Sequence, residues 1–82
     1  MQVTLDDTTV GDLSGVRVGC GNFWEREFDG DKVMSARLAP FDGDDVTVRE
    51  GTEVTVGGDR WRVVRLDVPE DGTASIVLER CD

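Results

Sequence analysis

From Val54 to Val68 the chain reads VTVGGDRWRVVRLDV, two runs of alternating apolar and polar residues joined by Gly-Gly-Asp. Alternation with period two sends successive side chains to opposite faces of an extended backbone. The pattern fits strands with one buried face and does not fit an amphipathic helix. Gly57 and Gly58 supply the positive φ that a tight hairpin requires. A phosphate-binding loop would instead lead into a helix N-terminus, often with a lysine. Here the glycines lead into WRVVRLDV, rich in β-branched residues, so the pair is expected to be a turn.

The same texture recurs along the chain. Val3 and Leu5 open it, and Val16, Val18 and Cys20 share one side of a second segment. A third runs from Lys32 to Ala39 with Met34, Ala36 and Leu38 on one side. Val46–Val48, Val54–Val56, Trp61–Val68 and Ala74–Glu79 follow. Asp29-Gly30 and Asp42-Gly43 punctuate the middle, and Glu50-Gly51 reads as a hairpin turn between two short valine strands. Pro69-Glu70-Asp71-Gly72 reads as a type I turn with a G1 bulge, closing a hairpin. The longest segment breaks phase: Trp61 and Val63 point one way, Val64, Leu66 and Val68 the other. Either a bulge lies at Val63-Val64 or both faces are buried there. No helix stands out. Thr8–Leu13 offers at most a short turn capped by Thr9 or Asp12. Phe23–Phe28 reads as helix by its Glu and Arg content, and equally as a strand or an aromatic loop. The expected fold is all-β in a single domain over residues 1–82: a small antiparallel barrel or sandwich of about six or seven short strands. Its C-terminal part, from Val46 onward, is expected to be a β-meander of about four strands.

Composition narrows the chemistry. The chain has 82 residues, enough for one modest core. Asp and Glu outnumber Lys and Arg 18 to 9, for a net charge of −9, which argues against nucleic acid as a partner. No apolar run approaches the ~20 residues of a membrane span, and MQVTLDD lacks the features of a secretory leader. The expected location is the cytoplasm, where Cys20 and Cys81 are expected to stay reduced. The absence of histidine excludes a Ser-His-Asp triad and a Cys/His zinc site within one chain. Asp42-Gly43-Asp44-Asp45 imitates the start of a calcium loop, but Val46 and Thr47 stand where that loop needs a ligand and a glycine. Cys20 alternates with valines and reads as a buried apolar side chain rather than a nucleophile. The sequence therefore points to no catalytic residue, no metal ligand and no cofactor.

Two features point outward. Phe23, Trp24, Arg26 and Phe28 form an aromatic cluster of the kind enriched at protein interfaces, although a small core also needs such residues. Arg60, Arg62 and Arg65 stand among acidic neighbours and are expected to form cross-strand ion pairs, with Arg60 and Arg62 on one face and Arg65 on the other. Trp61, alternating with Val63, is expected in the core.

The segments GVRVGC, ARLAP and EGTEVTVGGDRWRVVRLDV resemble a pattern of short, β-rich actinobacterial domains of unknown function. The resemblance spans Gly15 to Leu78 and lies in turn and core residues, so it implies the fold and no catalytic residue. The functional expectation is a non-enzymatic protein-binding module, acting through an exposed strand edge or through Phe23, Trp24, Arg26 and Phe28. One version is an acidic inhibitor or immunity-type protein that covers a basic site. The alternatives are a small ligand-binding or enzymatic barrel and a structural subunit of a larger assembly. Self-association is compatible with each.

Overall fold

A computed structural model describes residues 1–81, which fold entirely as strands and turns. The strands are β1 (Gln2–Asp6), β2 (Thr9–Leu13), β3 (Val16–Phe28), β4 (Asp31–Pro40), β5 (Val46–Arg49), β6 (Glu53–Val56), β7 (Asp59–Asp67) and β8 (Ser75–Cys81). All pairings are antiparallel, in two four-stranded sheets ordered β1-β8-β7-β6 and β2-β3-β4-β5. The sheets pack face to face as a sandwich and do not close into a barrel.

The hairpins follow from local chemistry. Ser14-Gly15, Asp29-Gly30 and Gly57-Gly58 are two-residue loops between paired strands, and all six residues have positive φ. That is the type I′ geometry, whose twist matches the twist of the flanking strands. The Gly-Gly pair is thus a turn. Gly57 has a further constraint, because a Cβ there would lie 2.6 Å from the Ser14 carbonyl oxygen. The β2–β3 and β6–β7 hairpins, one from each sheet, meet at this point. The Trp61 indole Nε1 donates to Ser14 Oγ at 3.1 Å, and the Ser14 hydroxyl donates to Asp59 Oδ2 at 2.5 Å.

Two bulges set which residues face the core. In β7 the register with β8 slips between Val63 and Arg65, so Val64 is the extra residue. Trp61, Val63 and Leu66 then share the inner face, which resolves the phase break. In β3, Asn22 and Phe23 stand opposite the single residue Ala36, and Asn22 adopts a φ of 54°. Between the sheets, Leu5, Leu13, Val18, Leu38, Trp61 and Leu78 are among the side chains that fill the core.

Several expectations need correction. There are eight strands rather than six or seven, because Thr9–Leu13 is a strand; Phe23–Phe28 adds none, since it continues β3. The C-terminal meander has only three strands, β6, β7 and β8. The strand β5 pairs with β4 in the other sheet, and β1 adds beside β8. Gly51, at φ 89°, does turn the chain, but it carries the chain from one sheet to the other instead of closing a hairpin. Pro69–Gly72 lies within a wide connection between Asp67 and Ser75, which are paired, so the tight turn is replaced by a longer loop. Arg65 lies on the same face as Arg60 and Arg62, because the Val64 bulge shifts the alternation by one. The three make the expected ion pairs, two across strands and one along β7: Arg60 with Glu53 at 3.3 Å, Arg62 with Glu79 at 3.2 Å and Arg65 with Asp67 at 3.0 Å.

Candidate functional site: the outer face of the β2-β3-β4-β5 sheet

The bulge in β3 decides the fate of the aromatic cluster. Val18 and Cys20 face the core, and unbroken alternation would carry Trp24 inward as well. One extra residue at Asn22-Phe23 reverses the phase. Phe23 turns inward and packs, partly buried, against the core. Trp24, Arg26 and Phe28 come to the outer face, with Trp24 64% exposed. The segment is a strand, so of the four residues singled out in the sequence, three share a surface and one does not.

Strand pairing builds the rest of this surface. Trp24, Ser35 and Arg49 form one row across β3, β4 and β5, Arg26 and Val33 form the next, and Phe28 pairs with Asp31. Arg37 precedes this row on β4, beside Thr47 of β5. The face is tied together without ion pairs. Arg26 Nη1 donates to Ser35 Oγ at 2.5 Å and to the Asn22 carbonyl at 3.2 Å. The Ser35 hydroxyl donates to the Trp24 carbonyl at 2.9 Å and is fully buried beneath these groups. Ser35 thus donates once and accepts once, and joins the Arg26 side chain to the β3 backbone. The Arg49 guanidinium lies 4.7 Å above the Phe28 ring, within cation–π range. Farther along the same face Arg17 lies 5.9 Å from the ring of Phe41, whose side chain is 67% exposed. Val10, also exposed, pairs with Gly19 beside them.

The charge on this face contrasts with the chain as a whole. Four of the eight arginines lie here: Arg17, Arg26, Arg37 and Arg49. Strand alternation places only Asp12 and Asp31 among them. Among the described residues none of the four guanidiniums has a carboxylate oxygen within 4 Å, although the chain has two acids for every base. On the opposite sheet all three outer-face arginines are paired. The unpaired arginines were visible in the sequence one by one. Their gathering on one face was not, because it depends on strand order and on the β3 bulge.

The other candidate groups are elsewhere. Cys20 is buried, with Sγ 3.9 Å from the Leu5 carbonyl oxygen. Burial pushes its thiol pKa up to about 12, with Asp7 and Asp6 adding to the effect, so it is protonated at neutral pH. Cys81 lies on the outer face of the other sheet, in register with Arg60, so the core separates the two sulfurs. Among the described residues no three Cys, Asp or Glu side chains come together as a metal site, and Asp42, Asp44 and Asp45 line an exposed turn. Comparison of the chain with protein-family models, with curated proteins and with solved structures finds no match in any of the three.

Proposed function

We propose that the protein is a non-enzymatic binding module that docks another protein on the outer face of its β2-β3-β4-β5 sheet, with Trp24 at the centre. The observation that carries this reading is Trp24 itself. A tryptophan held on a strand, 64% exposed and sharing its sheet face with four arginines that make no ion pair among the described residues, is costly to leave in water. Buried under a partner, it becomes the kind of aromatic and arginine anchor that dominates interface energetics. Arg26, hydrogen-bonded to Ser35, and Arg49, stacked over Phe28, are held in place before binding, which reduces the entropy lost on docking. A face of guanidiniums suits a partner that presents carboxylates, since Arg binds them in a bidentate fork. The version in which the chain covers a basic site would instead use its acidic loops. The resemblance to actinobacterial β domains belongs to the same proposal and concerns the scaffold: Gly15, Gly57, Gly58 and Trp61 are turn and core residues.

The test is capture of binding proteins from the source organism's lysate with wild type, Trp24→Ala and Val68→Ala side by side. Val68 is exposed but lies away from this face, so it controls for general stickiness. A partner retained by wild type and Val68→Ala, lost by Trp24→Ala and weakened by Arg37→Glu is the expected result. Retention by Trp24→Ala at wild-type level would remove Trp24 from the interface and with it this reading.

A further inference from the structure

The strand order leaves β5 and β6, consecutive in the chain, at the edges of different sheets, as it does β1 and β2. Each of these is the edge of its sheet, with one side of its backbone unpaired by any strand. Open edges are a hazard that proteins commonly blunt with lysine, proline or a bulge. Val46-Thr47-Val48-Arg49 and Glu53-Val54-Thr55-Val56 are short and carry one charge each, at Arg49 and Glu53, but neither contains lysine, proline or a bulge.

Along the whole of β6, and reaching β5 at Val46, lies a groove of about 510 Å³. Its floor is apolar: Leu38 and Val46 from one sheet, Val54 and Val56 from the other. At one end it is bounded by the Gly57-Gly58 turn and by Asp42 and Asp44, which are exposed. Neither aspartate makes an ion pair among the described residues, whereas Glu53 on the same rim is held by Arg60.

We infer that this groove receives an extended, basic and apolar peptide segment of a partner protein, which adds as a strand to the free edge of β6, with Val46 of β5 on its other side. Each property of the groove selects a property of the occupant. The unpaired edge selects an extended backbone that can continue a ladder. The valine and leucine floor selects apolar residues at every second position, and the unpaired aspartates select lysine or arginine at the end of the segment near the Asp42–Asp44 turn. A small polar ligand finds no converging set of side-chain donors on the floor. A polyphosphate meets the two aspartates at the rim. This site is separate from the Trp24 face and opposite to it in charge, so the chain carries one surface for an acidic partner and one for a basic segment.

The probe is a blocked heptapeptide that alternates lysine and valine, titrated into the isotope-labelled full chain while backbone amide signals are followed. Shifts confined to Val46, 53–56 and the Asp42–Asp44 turn are expected. Raising salt from about 50 mM to about 500 mM should weaken binding several-fold. The double substitution Asp42→Asn and Asp44→Asn, in an exposed turn, should weaken it about fivefold or more with the amide spectrum otherwise intact. Trp24→Ala should bind the peptide as wild type does, so loss of the Trp24 reading would leave this one standing. A peptide with proline in place of every valine cannot continue a ladder and should not bind. No shifts at all, shifts centred elsewhere, equal binding of the proline peptide, or equal binding of a glutamate-for-lysine analogue would each overturn the inference.

Discussion

At the residue scale the two tryptophans should behave as opposites. Trp61 is 1% exposed and its indole is hydrogen-bonded to Ser14, while Trp24 is mostly in water. Trp61→Ala should cost about 3–5 kcal/mol in urea unfolding, the range for a large buried aromatic. Trp24→Ala should change stability by less than about 0.5 kcal/mol, as surface substitutions do. Acrylamide quenching of the single-tryptophan proteins should be strong for Trp24 and weak for Trp61. Gly57 and Gly58 should also separate. Both have positive φ, but only Gly57 has a backbone oxygen where a Cβ would go. Gly58→Ala should cost about 1–2 kcal/mol from the left-handed backbone alone, and Gly57→Ala measurably more. Cys20 gives a pH dependence of known sign. Its folded pKa of about 12 lies above the ordinary thiol value of 9.0, so between these values the native state holds the proton more tightly than the unfolded chain. Its contribution is present below about pH 9 and lost as pH rises toward 12. The difference in unfolding free energy between wild type and Cys20→Ala should therefore shrink across that window, and a constant difference would contradict it.

At the element scale, sequence pattern was informative wherever one face of a strand is buried without interruption. The alternations in Val16–Cys20 and Lys32–Ala39, and in Trp61–Val68 with a bulge at Val63-Val64, all appear in the structure. Those strands bury a period-two stripe, and the stripe is what the eye reads. Three features escaped the pattern. In TVGDL only Leu13 is fully buried, and Gly11 is kept small by the Leu5 side chain, 2.3 Å from where its Cβ would be, so β2 carries no apolar stripe. The bulge at Asn22 has no counterpart to the valine doublet that betrayed the one in β7, so nothing local announced that Trp24 turns outward. The partner of β5 was misread because adjacent short strands with a glycine between them fit a hairpin as well as a change of sheet. The β3 bulge carries its own prediction. Deleting Asn22 leaves Phe23 alone opposite Ala36, so alternation runs unbroken with Cys20 and Phe23 inward and Gly21 and Trp24 outward. The emission of Trp24 and its accessibility to acrylamide should therefore stay as in wild type although the bulge is gone. A blue shift and protection of Trp24 in a folded deletion variant would mean that β3 re-pairs with β4 in a slipped register.

At the scale of the whole molecule, charge is sorted rather than spread. A chain of net charge −9 keeps four unpaired arginines on one sheet face, ties three more into ion pairs on the other, and leaves most of its carboxylates to turns and strand ends. Two electrostatic effects then compete in stability. The three ion pairs are about half exposed, and pairs of that kind contribute at most about 1 kcal/mol each and weaken with salt. Repulsion among the surplus carboxylates acts against the compact state and is also screened by salt. With twice as many acids as bases, and only three acids in ion pairs among the described residues, repulsion is expected to be the larger effect. The midpoint of thermal unfolding should therefore rise between about 10 mM and about 500 mM sodium chloride, where a screened Debye length of a few ångströms silences contacts between distant charges. Glu53→Gln and Glu79→Gln each remove one carboxylate and one ion pair, so at low salt their destabilisation should be small or absent. A midpoint that falls with salt would mean that the ion pairs outweigh the surplus, and the sorted charge would then be a stabilising device in its own right. A midpoint that rises means that repulsion among the surplus carboxylates outweighs the ion pairs.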